Sequence, residues 1–214
     1  EKKGEDQKLE ELILDNSDND GLIQYYIEIL GSRKNYTTAI KICRNRFEEL
    51  YKSALIKDEE FEHAKNQLKE RRIEIKQLDR IMEAKYVLTQ YLEWYAPMLC
   101  RLHVKTGNFE VALKVVARIN IDRELYDRQF RSRCYRIIEN YLNDEQREYF
   151  YEQLFYANRF TVLDIENLCV IDQSWKYLIR ACSIRLGRLS EINRSVWNYG
   201  KYMIQYPEEF HSMY

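Results

Sequence analysis

The groups best able to do chemistry in this chain are its arginines and its rings. Arg118, Arg123, Arg128, Arg131, Arg133 and Arg136 fall within nineteen positions, with no Lys among them and with Tyr126, Phe130 and Tyr135 interleaved. Guanidinium groups favour two-pronged contacts with carboxylate or phosphate and stack on aromatic faces. Such a patch suits an acidic peptide, RNA or a single strand. Asp122, Glu124, Asp127 and Glu139 are interspersed, so internal ion pairs explain much of the patch. Aromatics are dense: 18 Tyr, 8 Phe and 3 Trp. Tyrosine joins an apolar ring to a polar tip and fits half-buried seams and partner surfaces. One cluster is Tyr149, Phe150, Tyr151, Phe155, Tyr156 and Phe160. Consecutive residues on a helix are about 100° apart, so Tyr149, Phe150 and Tyr151 cannot all enter one core.

Catalytic constellations are missing. G-x-S-x-G, H-E-x-x-H, phosphate-cradling and dinucleotide glycine patterns do not occur. Glu148, Glu152, Asp164 and Glu166 are the carboxylates that could be cast as acid–base or metal groups, but no His is paired with them. His63, His103 and His211 are scattered, and His103 before the Gly107 turn reads as structural. Cys43, Cys100, Cys134, Cys169 and Cys182 are odd in number and far apart, which predicts buried, reduced thiols. We therefore expect no enzyme, no cofactor, no metal and no small-molecule substrate.

The elements that carry these residues are helical. Only 6 Gly and 2 Pro occur in 214 residues, where ordinary usage would give roughly 15 and 11. A sheet-rich fold lacks the turn residues it would need. The 34 Lys+Arg nearly balance 35 Asp+Glu, so the chain has no general excess of positive charge for coating phosphate. No apolar run is long enough for a membrane span and no signal-peptide core is evident, which predicts an intracellular protein, cytoplasmic or nuclear. Residues 1–20 carry eight acids and three bases and read as a flexible acidic lead-in. Residues 21–214 then read as one helical domain, with a subdivision near 95.

Period-3.6 stripes place helices from Gly21 to Leu30 and from Tyr36 to Tyr51. Asp58-Glu59-Glu60 suits the positive end of a third, unbroken to about Tyr95. Phe61, Leu68, Ile75 and Met82 recur every seven positions along it, as a seam against a neighbour or in a coiled-coil arm. Pro97 opens a fresh helix ending at Thr106-Gly107, and others cover Phe109–Ile119 and Asp122–Leu142. Asn143-Asp144 starts the next. Phe160 to Leu163 is locally strand-like. Asp172-Gln173-Ser174 caps a helix through Leu186, and Leu189 to about Gln205 forms another.

Two stretches echo one another 73 positions apart. Asn35-Tyr36-Thr37-Thr38-Ala39-Ile40-Lys41 aligns with Asn108-Phe109-Glu110-Val111-Ala112-Leu113-Lys114. Gly107, Phe109 and Ala112 resemble the tetratricopeptide family of helical repeats, whose hairpins place Gly, an aromatic and Ala at these offsets. Tyr36 and Ala39 fit the same pattern, with Lys34 in place of the Gly, and a third copy keeps only Gly187. The resemblance covers about a third of the chain. Proteasome-lid-like helical arms, pentatricopeptide arrays and a plain α-hairpin remain open beside it. It implies an all-α fold of irregular antiparallel helical hairpins, as a short right-handed solenoid or a compact bundle. The expected function is a non-enzymatic scaffold or adaptor subunit of a multi-protein complex. Its expected contact residues are Tyr149, Tyr151, Phe155 and Tyr156, with Arg128, Arg131 and Arg136 around them. The alternative is an RNA- or single-strand-binding helical-repeat protein.

Overall fold

A computed structural model describes residues 13, 19–70, 72–121, 125–157, 160–174 and 176–186. Among them are eight α-helices, one 3-10 turn and no strand: α1 Asp20–Ser32, α2 Tyr36–Lys69, α3 Ile75–Lys105, α4 Phe109–Ile121, α5 Arg128–Arg136, the turn Glu139–Tyr141, α6 Asp144–Ala157, α7 Val162–Asp172 and α8 Lys176–Leu186. The acidic lead-in lies almost wholly outside the described residues. So do the expected helix after Leu189 and the third echo at Gly187. The chain packs as two compact units, Glu1–Val115 with Glu124–Tyr126, and Val116–Arg123 with Asp127–Tyr214.

The first unit is built on the long antiparallel pair α2 and α3, with α1 against both. Ile27 of α1, Ala39, Cys43 and Phe47 of α2, and Leu92, Ala96 and Leu99 of α3 are buried. The apolar spacing of three and four along each segment is what makes them helices with one inward face. A buried acid ties the three together. Asp20 accepts from Arg46 Nε at 2.9 Å and Nη2 at 2.8 Å, and from the Tyr95 hydroxyl at 2.8 Å. Burial and this carboxylate push the Tyr95 phenol well above its ordinary range. Burial alone pushes the Cys43 thiol up to about 12.

The helix expected over Asp122–Leu142 begins only at Arg128, capped by Asp127, and gives way after Arg136 to the 3-10 turn Glu139–Tyr141. In the first unit the boundaries differ from the sequence expectation at two places. No helix starts at Asp58. Helix α2 runs through it to Lys69, and Asp58 instead pairs with Lys85 of α3. The break falls between Glu70, the last cap of α2, and Glu74, the first cap of α3, whose N–H donates to Gln77 Oε1 at 3.2 Å. The seven-residue row is therefore no single seam: Phe61 and Leu68 belong to α2, Ile75 and Met82 to α3. Nor does Pro97 open a helix. It sits inside α3, where it has no N–H to give to the carbonyl four residues back. Leu92, Tyr95, Ala96, Leu99 and Cys100, all buried, hold the helix together across it.

The two echoing segments make the same turn. Each follows a helix end in which one residue takes a left-handed backbone, Lys34 at φ 60 and Gly107 at φ 75. Lys34 N–H donates to the Gly31 carbonyl at 3.1 Å and Asn35 N–H to Leu30 at 2.9 Å. Gly107 N–H donates to Val104 at 3.0 Å and Asn108 N–H to His103 at 2.9 Å. This is the paired 5→2 and 6→1 hydrogen bonding of a Schellman helix end. Ala39 and Ala112 then stand at matched positions, both fully buried.

In the second unit α7 packs on α8 and on α5, and α5 leads into the 3-10 turn. Helix α6 starts with a reciprocal cap: Gln146 N–H donates to Asn143 Oδ1 at 2.8 Å and Asn143 N–H to Gln146 Oε1 at 3.1 Å. The strand-like stretch from Phe160 is instead a helix start. Thr161 Oγ1 accepts from Asp164 N–H at 3.2 Å while Asp164 Oδ2 accepts from Thr161 N–H at 2.8 Å. Asp172 ends α7 and does not open α8; Gln173 follows it in a left-handed backbone at φ 53.

Candidate partner-binding surface

Helix α6 divides its aromatic residues between two faces. Phe150, Tyr151, Leu154 and Phe155 are buried, spaced at one, three and four as an inward helical face requires. Tyr149 and Tyr156, seven residues apart, lie on the opposite face with Glu145, Glu148 and Glu152. Tyr149 is 44% exposed and Tyr156 is 91% exposed. Rings 700° apart along a helix differ by only about 20° in direction, so the two tyrosines form one stripe about 10 Å long. Glu152 is held by the Arg180 guanidinium, which also lies 4.7 Å from the Phe155 ring centre.

The inward face ends on the buried carboxylate of Asp172, which no local pattern of residues marks. Tyr135 and Tyr151 both donate to Asp172 Oδ2, at 2.6 and 2.8 Å. Arg147 Nε lies 3.5 Å from Asp172 Oδ1, an ion pair too loose to count as a hydrogen bond. Burial raises the Asp172 carboxyl above its ordinary range, and the two phenols and Arg147 only partly oppose it. The same burial drives both phenols far up. Tyr151 stacks on Tyr177 at 3.8 Å between ring centres, and Tyr135 on Phe150 at 4.8 Å.

Helix α5 splits its arginines in the same way. Asp127 caps it, accepting from Phe130 N–H at 2.7 Å. Arg131 is buried, with Nη2 donating to Asp164 Oδ1 at 2.8 Å. Arg128 Nε reaches the same oxygen at 3.3 Å but keeps much of its side chain in solvent. Burial works against a charge on Asp164, yet Thr161 and Arg131 together hold its carboxyl below the usual range. Arg133 lies 5.7 Å from the Phe130 ring centre, and Arg136 is exposed. No ion pair of the described residues uses either.

Of the seven expected contact residues, then, the structure leaves Tyr149, Tyr156, Arg128 and Arg136 at the surface. Tyr151, Phe155 and Arg131 are corrected: they are interior, closing the α6 core face and the Asp164 pair. A helical wheel drawn on 144–157 would have separated the tyrosines, since Tyr149 and Tyr156 share a phase that Tyr151 and Phe155 lack. Nothing local in the sequence marks Asp164 and Asp172 as the acids that capture Arg131 and the two phenols, because both pairings cross more than twenty positions.

Among the described residues no group of three or more His, Cys, Asp or Glu could hold a metal ion, and no helix is long and apolar enough to cross a membrane. Cys43, Cys100, Cys134 and Cys169 are buried thiols outside any disulfide. His103 is buried with Nε2 at 3.1 Å from Arg44 Nη2. A guanidinium can only donate, so the ring is neutral with its proton on Nδ1. Burial and Arg44 both lower its pKa. Comparison with protein-family models, with curated proteins and with solved structures gives no match.

Proposed function

We propose that this chain is a non-enzymatic scaffold or adaptor subunit inside the cell, and that its second unit presents the α6 face to a helix or extended segment of a partner protein. The observation that carries the reading is the Tyr149–Tyr156 stripe. A tyrosine 91% exposed on a helix whose opposite face is fully packed contributes nothing to the fold that solvent would not equally supply. Buried under a partner, each ring would remove apolar area from water at about 25 cal/mol per Å² and leave its hydroxyl free to bond at the rim. Glu145 and Glu148 beside the rings favour a partner carrying Lys or Arg there. The tetratricopeptide-like turns at Lys34 and Gly107 agree with a helical-hairpin scaffold.

The test is affinity purification of the full chain at moderate salt, with mass spectrometry, in parallel with a Tyr149→Ser/Tyr156→Ser variant. The expected result is a stoichiometric companion protein that the double variant loses while its circular dichroism is unchanged. Recovery of the wild-type chain alone, or retention of the companion by the variant, refutes the reading.

A second reading rests on the α5 surface. Arg133 and Arg136 occupy its solvent side with Gln129 and Ser132, next to Arg128, which touches Asp164 but stays partly in solvent, an arrangement that suits phosphate as well as carboxylate. An RNA ligand on this face would bind far more weakly at 200 mM than at 50 mM salt, as counterion release demands. Binding indifferent to salt removes it.

A further inference from the structure

The distal half of the α2–α3 pair has almost no interior. Between Leu55 and Tyr91 the only buried residue among those described is Ala64. Helix α1 has 13 residues, about 20 Å at 1.5 Å per residue, against about 50 Å for α2, so it cannot cover the pair's full length. What holds the distal half is one thin row. Lys85 pairs with Asp58, and Lys65 and Lys85 lie 5.5 and 5.4 Å from the Phe61 ring centre.

One flank of this hairpin is apolar and open. Asp58 and Phe61 of α2 meet Lys85 of α3, and the less exposed positions that continue these rows by helical spacing are Ala54 on α2 and Leu78 and Ile81 on α3. In two antiparallel right-handed helices, the positions one residue later in each row turn to the same side. Those positions are Leu55, Glu59 and Glu62 on α2, and Asp79, Met82 and Tyr86 on α3, with Ile75 one turn earlier. Ile75 is 64% exposed, Met82 52%, Tyr86 62% and Leu55 37%. Single exposed apolar residues are ordinary on a protein surface, but four along one flank form an apolar stripe.

Charge decides what fits there. Glu59 and Asp79 sit on this flank and enter no ion pair of the described residues, whereas Glu62 on the same flank is held by Lys65 at 2.8 Å. A second copy presenting the same flank would bring Glu59 and Asp79 against their own kind. We propose that this flank of α2–α3 is a docking site for a basic amphipathic helix of a partner protein. Its apolar side would cover Ile75, Met82, Tyr86 and Leu55, and Lys or Arg would face Glu59 and Asp79. Ile75 to Tyr86 spans about 16 Å, three turns, which an equally short helix matches. The site lies in the first unit and stands independently of the tyrosine stripe on α6.

The test uses the full chain and two labelled synthetic helices of about 14 residues. Both carry Leu at i, i+3, i+4 and i+7; one has Lys beside the Leu row and the other Glu. Binding is read by fluorescence anisotropy and oligomeric state by light scattering. The Lys peptide should bind, and the Glu peptide should bind about fivefold or more weakly, the effect of two exposed charge pairs. Glu59→Lys/Asp79→Lys should reverse that order, and Met82→Ser should weaken the Lys peptide, with circular dichroism unchanged in both variants. These residues are exposed, so folding is not at stake. Equal binding of the two peptides, no binding of either, or indifference to the charge reversal overturns the proposal. So does a wild-type dimer that Met82→Ser disperses, which would give the flank to a second copy. Loss of the companion protein from the Tyr149→Ser/Tyr156→Ser variant leaves all these readings unchanged, so the two proposals fail separately.

Discussion

Two turns with one geometry and different residues set up a direct experiment. Lys34 and Gly107 occupy the same position of the same helix end, at φ 60 and 75. An L-residue with a side chain is disfavoured in the left-handed region by about 1–2 kcal/mol. Glycine escapes that cost but loses about 0.4–1 kcal/mol through the greater freedom of its unfolded chain. Lys34→Gly should therefore stabilise the first unit by about 0.5–1 kcal/mol, the difference between these two effects. Lys34 is exposed and in no described ion pair, so no contact is lost with its side chain. Gly107→Ala should destabilise by a similar amount. A methyl at Gly107 would meet nothing within 4 Å, so the backbone angle is the whole of the effect. Urea unfolding followed by circular dichroism reads both, and a thermal midpoint should move by about 1–4 °C up for one variant and down for the other. The double variant should lie near wild type, as distant sites add. If Lys34→Gly is destabilising or Gly107→Ala is neutral, the turns do not share their strain and the structural echo is only a likeness of letters.

Other perturbations reach the buried polar groups. His103 has a lowered pKa in the fold, so its contribution is complete above the ordinary histidine value near 6.5 and is lost as the pH falls below it. The urea midpoint of the first unit should drop between pH 7.5 and 5.5, and His103→Gln should flatten that slope. Tyr135 and Tyr151 have raised phenol pKa values, so their contribution is present below about pH 10 and disappears as the pH rises past it. Their ionisation, read by absorbance near 295 nm, should coincide with loss of the circular dichroism signal. Asp172→Ala leaves both phenols without their acceptor and should cost at least about 2 kcal/mol in urea unfolding. Ala112→Leu forces a larger side chain into a fully buried position and should cost about 1–3 kcal/mol, with Ala39→Leu matching it.

The helical class was legible because it depends on periodicity and on missing turn residues, both visible in any window of the chain. The helix starts at Tyr36 and Asn143-Asp144 were legible for the same reason: the partners of the caps Asn35 and Asn143 lie three residues on. The start at Thr161 was not, because the aromatic and β-branched run Phe160-Thr161-Val162 has the composition of a strand. The break at 70–74 was not. Its residues, Glu70-Arg71-Arg72-Ile73-Glu74, contain no Gly and no Pro, and most have good helix propensity. The chain reverses there because a single helix of that length would leave Ala54, Phe61 and Ala64 without a surface to pack on. Pro97 misled in the opposite direction. A local breaker is overruled when the flanking residues are buried on both sides of it.

The tyrosines were read from sequence as suited to half-buried seams and to partner surfaces, and the structure divides them between the interior and the surface. Tyr95, Tyr135 and Tyr151 carry a hydroxyl to a buried carboxylate, Asp20 in the first case and Asp172 in the other two. An acid taken out of water needs donors, and a tyrosine brings one at the end of a ring that itself fills a core. Phenylalanine at these three positions would leave the acids short of partners, so their hydroxyls are explained by the fold. No such account covers Tyr149, Tyr156 or Tyr86, which stand in solvent with no carboxylate to satisfy. The same sorting separates Arg131, fixed on Asp164, from Arg136 in solvent. Subtracting the polar groups that burial requires leaves a short residue of rings and charges, and it is that residue, not the composition as a whole, that bears on what this protein binds.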